Sequence, residues 1–194
     1  MKKHLSILML LAALVVPWAS RAQETLTVCD GTGTNTHFPV NGLYVDTYGS
    51  CNEFIIPASL LTEMSGATIE SMTFYLSTPA TDAWTGTIQV YLGETTATSV
   101  ASFSTPTSSA VTVVYTGLLN ATGQTMTVTF ATPYEYNGGN LLVGSFTSVA
   151  GNYKSATFKG QAQTDYNARY RTSASVAGTQ EKFIPKTTFS AATP

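Results

Sequence analysis

Few residues in this chain could do chemistry, and several of them crowd into VCDGTGTNTHFPV at positions 28–40. His37 is the one histidine left once residues 1–22 are set aside. A Ser/His/Asp or Cys/His device would need it as the base. It stands between Thr36 and Phe38, in no nucleophile motif, and no G-x-S-x-G occurs. His37 is therefore read as a loop residue. The GTGTN run lacks the lysine and the following helix that cradle a phosphate. Two cysteines and one histidine do not complete a closed zinc site. Glycoside hydrolysis needs two carboxylates facing each other across a sugar. Nothing selects such a pair among the acidic residues, although Glu70, beside Met72, and Glu53 are the ones to test. No catalytic residue is assigned, and the chain is read as non-enzymatic, with a jelly-roll glycoside hydrolase as a lesser alternative.

Binding chemistry is better represented. Asp30, Thr32, Thr34 and Asn35 supply oxygens among glycines, and Asp46 and Glu53 lie near Cys51. Calcium takes such hard oxygen ligands, so Asp30, Asn35, Asp46 and Glu53 form a candidate cation set. The competing reading is a hydrogen-bonded turn. No other cofactor is expected. Trp84, Tyr44, Tyr48, Tyr134 and Tyr136 fall outside the clearest strand cores. Loop aromatics of this kind either bind ligands, as platforms for sugar rings or protein surfaces, or pack edges.

The N-terminus reads as an export signal. Lys2 and Lys3 precede a short apolar run, Leu5 to Val16, and Ser20 and Ala22 are the small residues of a cleavage site after Ala22. Lipid attachment at Cys29 is rejected because Val28 precedes it and the apolar run ends well upstream. In an exported chain the two cysteines, Cys29 and Cys51, read as one disulfide. Its loop closure would contribute about 3 kcal/mol. Loss of Lys2, Lys3 and Arg21 leaves six basic residues against eleven acidic ones, a net charge of about −5. That balance argues against nucleic acid or an anionic membrane as partner. No later stretch is long and apolar enough to span a bilayer. All six remaining cations lie beyond position 153, either as a solvated face or as a docking strip for a neighbouring domain or an acidic glycan.

The scaffold that must hold these residues is all-β. Charge is sparse, Thr, Val, Tyr and Phe are abundant, and turn residues recur every few positions. Alternation places Met72, Phe74 and Leu76 on one face, as it does Ile88, Val90 and Leu92, then Val111, Val113 and Tyr115, then Met126, Val128 and Phe130. NLLVGSF reads as a strand buried on both faces. NYKSATFKG, NARYRTS and KFIPKTTF complete the series. IPASLLTEMSG (56–66) reads as a short helical turn near 57–64, with Leu60, Leu61 and Met64 pointing inward. The expectation is a two-layer β-sandwich of jelly-roll type over residues 23–189, followed by a linker-like tail at 190–194.

The order of VCDGT-TN--PV-GLYVD-Y (28–48), IIPASLL (55–61), IESMTFYLS (69–77), W-GTIQVYLGE (84–94), VVYTG (113–117), PYEYNGGNLLVG (133–144) and FIPKTTF (183–189) resembles the N-terminal β-sandwich module of secreted and surface proteins of Bacteroidota, related in style to cleaved-adhesin jelly rolls. The resemblance covers nearly all of the chain after residue 22. It implies an adhesion or binding module without catalytic residues, usually followed by fibronectin-like domains and a type IX sorting signal. The resulting expectation is an extracellular or cell-surface module that binds a glycan or a neighbouring or host surface protein. The alternative is a structural cap or spacer of a larger surface protein.

Overall fold

The computed structural model describes residues 23–41, 45–80 and 85–192. The expected export signal, Tyr44, Trp84 and the last two residues lie outside the described residues. The described strands are β1 (Gln23–Val28), β2 (Gly33–Asn35), β3 (Cys51–Ile56), β4 (Thr68–Ala80), β5 (Thr87–Thr95), β6 (Thr112–Gly117), β7 (Ala121–Glu135), β8 (Asn140–Val149), β9 (Phe158–Ala162), β10 (Ala168–Arg171), β11 (Thr179–Glu181), β12 (Phe183–Pro185) and β13 (Thr187–Ala192). They form two antiparallel sheets packed as a sandwich. The first runs β1-β13-β4-β9-β12, with β2 added on β9 and β7 on β4. The second runs β11-β10-β3-β8-β5-β6. No helix among the described residues is long and apolar enough to cross a membrane.

The period-2 pattern explains most of the core. Met72, Phe74 and Leu76 of β4 meet Ile88, Val90 and Leu92 of β5, all buried. Phe54 joins the layers, edge-on to Phe74 at 6.4 Å and to Phe38 at 6.3 Å. β8 is buried from Leu141 to Ser145 because β3 and β5 flank it and both of its faces are covered. One strand departs from the expected phase. In β6 the register with β5 shifts between Val90 and Tyr91, whose partners are Tyr115 and Val113. The extra residue, Val114, turns inward and is fully buried in place of Val113, while Tyr115 packs against the core only partly buried.

Residues 57–64 form two 3-10 turns, Ala58–Leu60 and Thr62–Met64. Three residues per turn align positions i and i+3, so Leu61 and Met64 both reach the core. Leu60 falls on the other side and is 42% exposed, contrary to expectation. NYKSATFKG is strand only from Phe158 onward. The expected tail also begins too early. Ser190, Ala191 and Ala192 continue β13, paired with Thr25, Glu24 and Gln23 of β1 on one side and with β4 on the other. Their small side chains hid a strand flanked by two neighbours.

Candidate functional site

The outer face of the second sheet gathers the residues with chemistry. Cross-strand register sets two rows. Arg171, Cys51, Phe146 and Gln89 form one, and Arg169, Glu53, Gly144 and Tyr91 form the next. The sixteen residues between β5 and β6, 96–111, fold over this face as a strap. Val100 packs on Ile55 and Leu142 beneath it, with Val111 alongside. Gln180 donates to Val100 O (3.0 Å), Arg169 Nη1 to Ala101 O (2.7 Å) and Asn140 Nδ2 to Ala97 O (3.0 Å). The guanidinium groups of Arg169 and Arg171 both sit over Phe103, at 5.7 and 4.9 Å from the ring centroid. Gly93 lets the strap approach, since a Cβ there would lie 2.5 Å from Ala110 O.

Glu53 is the strap's central anchor and is fully buried. Its Oε1 accepts from Tyr91 Oη (2.6 Å), Ser104 N (2.8 Å) and Thr105 N (3.1 Å). Thr105 takes φ +56° to present its N–H, an unusual conformation for a β-branched residue. Tyr91 reaches Glu53 across β8 only because residue 144 is glycine. A Cβ there would come within 2.2 Å of the Tyr91 ring. Burial raises the Glu53 carboxyl above its ordinary range, against the lowering effect of these donors and, more weakly, of Arg171. Burial and the neighbouring carboxylate push Cys51 up to about 12, and Tyr91 is held well above its usual value.

Beside the strap an open groove of about 390 Å³ is lined by Tyr48, Gln89, Pro106, Phe146, Ser148 and Arg171, among others. Tyr48 is 60% exposed and braced edge-on by Phe146 at 5.7 Å. Arg171 Nε donates to Gly49 O (3.0 Å), which fixes the guanidinium at the groove.

The other expected site residues fare differently. Cys29 and Cys51 are free thiols, not a disulfide. Cys29 packs into the core between the sheets, whereas Cys51 faces outward, 3.3 Å from Tyr91 Oη. Burial raises Cys29 to about 11, so neither thiol is ionised at neutral pH. The calcium set is not assembled. Asp30 pairs with Lys186 (2.6 Å), Asp46 accepts from Thr47, and Asn35 is bound to Glu181 and to His37 N. Glu53 lies under the strap. Among the described residues no three His, Cys, Asp or Glu side chains group to hold a metal. Tyr136 is a core residue at 1% exposure whose hydroxyl donates to Gly139 O, so it presents no binding surface. Tyr134 is half-buried against the core, and burial and the Glu94 charge raise its hydroxyl to about 12.

The NGG block has its own logic. Glu94 accepts from Asn137 N, Asn137 Nδ2 and Gly139 N (2.7–3.0 Å). Burial works against its charge, but these donors hold its carboxyl below the usual value. His37 is a loop residue with a structural partner. Its Nδ1 lies 2.6 Å from Glu181 Oε1, and its ring stacks on Tyr170 at 3.7 Å. Burial opposes the Glu181 charge, yet the His37 and Asn35 contacts leave its carboxyl lowered. Four of the six basic residues sit over aromatic rings. Besides the two arginines over Phe103, Lys182 sits over Tyr166, and Lys186 bridges Asp30 and Tyr75. Sequence reading missed the strap, Tyr91 and Phe103. The available signal was the sixteen-residue gap after Thr95, long for a connection without secondary structure.

Comparison with protein-family models, with curated proteins and with solved structures gives no match.

Proposed function

We propose that the protein is a non-enzymatic binding module of an exported or cell-surface protein, and that its ligand lies in the groove beside Tyr48. The observation that carries this reading is an exposed aromatic ring held rigidly at a 390 Å³ groove, with Arg171, Gln89 and Ser148 beside it. An exposed ring face stacks on the C–H face of a sugar, and the polar neighbours suit its hydroxyl groups. A ring already braced by Phe146 loses little freedom on binding. The sequence resemblance to Bacteroidota surface modules supports the same reading.

The placement of the carboxylates weighs against hydrolysis. Glu53 is buried on the outer face of the second sheet, and Glu70 lies on β4 of the first, where both neighbouring strands shift register. A glycosidase pair has to flank one bond.

A glycan array with wild type, Tyr48→Ala and Trp84→Ala tests the proposal. Wild type is expected to bind a defined glycan group and Tyr48→Ala to lose it. Absence of binding by wild type sinks the carbohydrate reading and leaves the structural cap or spacer.

A further inference from the structure

We propose that the cavity under the strap is a second site, one that takes a primary ammonium group with Glu53 Oε2 as its counter-ion. The cavity has a volume of about 220 Å³, and its lining includes Glu53, Ser99, Ser102 and Ser104. That exceeds the roughly 150 Å³ of a cavity known to admit benzene, so a six-membered ring fits. Among the described residues, no Lys, Arg or His lines it.

The two oxygens of Glu53 differ. Oε1 accepts three hydrogen bonds, two of them from backbone N–H groups that can only donate. Oε1 can accept these bonds in either protonation state of the carboxyl, so the charge of Glu53 is set by pH through its raised pKa. Oε2 is buried and has no hydrogen-bond partner among the described residues. A buried carboxylate oxygen left unpaired costs several kcal/mol; protonation relieves this below the raised carboxyl pKa, and a donor entering the cavity relieves it above that pKa. A cationic donor offsets most of this, since charge-assisted hydrogen bonds are about twice as strong as neutral ones.

The arginines do not fill this role. Arg169 stands opposite Glu53 on β10, but it donates to the carbonyls of Ala101 and Ala177. Arg171 donates to Gly49 O, and neither forms an ion pair with Glu53. Among the described residues, the other titratable groups near Glu53 are Cys51 and Tyr91, both neutral at ordinary pH, and Glu94, which also lines the cavity. Protonation of Glu53 removes the counter-ion. Binding therefore weakens as pH falls through its raised carboxyl pKa.

The ammonium group could belong to a free amine, a lysine side chain or an amino sugar, and the test separates them. Amide resonances of Ser104 and Thr105 are followed by NMR during titration with propylamine, Nα-acetyl-lysine amide and glucosamine. Glucose, N-acetylglucosamine, potassium and calcium chloride serve as controls. At least one ammonium compound is expected to shift both resonances saturably, while the neutral sugars and the metal ions do not. Glu53→Gln should weaken binding by about tenfold to a hundredfold, and Thr73→Val on the opposite sheet should leave it unchanged. Should Glu53→Gln fail to fold, Ser99→Leu, which fills the cavity, should abolish binding. Equal binding of glucose and glucosamine overturns the proposal. So do saturation by a metal ion or the absence of any shift. The site does not depend on the Tyr48 groove, so a glycan-array failure leaves it standing.

Discussion

The two outer faces of the sandwich solve the same problem in opposite ways. On the first sheet, Thr25, Ser190, Ser71 and Thr129 form one row, and Thr27, Thr188, Thr73 and Thr127 the next. The hydroxyls pair sideways, Thr27 with Thr188 at 2.6 Å and Thr73 with Thr127 at 2.8 Å. Tyr75 adds a bond to Thr188. These rows carry no charge and bury nothing costly. The second sheet carries Glu53, Tyr91, Arg169 and Arg171 on its outer face and covers much of them with a strap. A sheet needs only the first arrangement to be stable in water. The second places a carboxyl group out of solvent and leaves one of its oxygens without a partner among the described residues.

Breaking the common core sets the upper bound. Phe74→Ala, between the sheets, should destabilise by about 3–5 kcal/mol in urea unfolding, well above any change on either outer face. Glu53→Ala comes next. It strands Tyr91 Oη and two strap N–H groups, and about 3 kcal/mol is expected, with faster hydrogen exchange at Ser104 and Thr105. A loss below 1 kcal/mol would show that the strap does not depend on this anchor.

Gly144→Ala should cost about 1–3 kcal/mol by displacing the Tyr91 ring. The pH dependence separates the two faces further. A raised Glu53 pKa means that the folded state binds the proton more tightly than the unfolded state. Its contribution to stability is full below the unfolded carboxylate pKa and is lost as pH rises through the folded value. Glu94 and Glu181 act in the opposite sense, losing their contribution as pH falls through their lowered values. The wild-type stability curve minus that of Glu53→Gln should therefore decline with rising pH across the Glu53 window. A flat difference would contradict the burial of this carboxyl. The smallest effect belongs to the threonine rows. Thr73→Val should change stability by about 0.2–1 kcal/mol.

The cysteines show where sequence reasoning stops. Even count and compartment argued for a Cys29–Cys51 bridge, but pairing depends on which face each residue occupies, and the two thiols face different sides of the second sheet. Tyr136 fails similarly. Its neighbours read as a loop, yet Gly66 N donates to its carbonyl, its own N–H donates to Ala67 O, and it is drawn into the core.

By itself the sequence determined the all-β class, the inward residues of β4, β5 and β7 and the doubly buried β8. These follow from local periodicity, which every strand carries in its own residues. Only the tertiary structure decided that Glu53, Tyr91 and the 96–111 strap meet, and that Tyr48 stands over a groove floored by Phe146. Those contacts join strands far apart in sequence. They depend on sheet order and on the space left by Gly93 and Gly144, which no pattern within a single strand encodes.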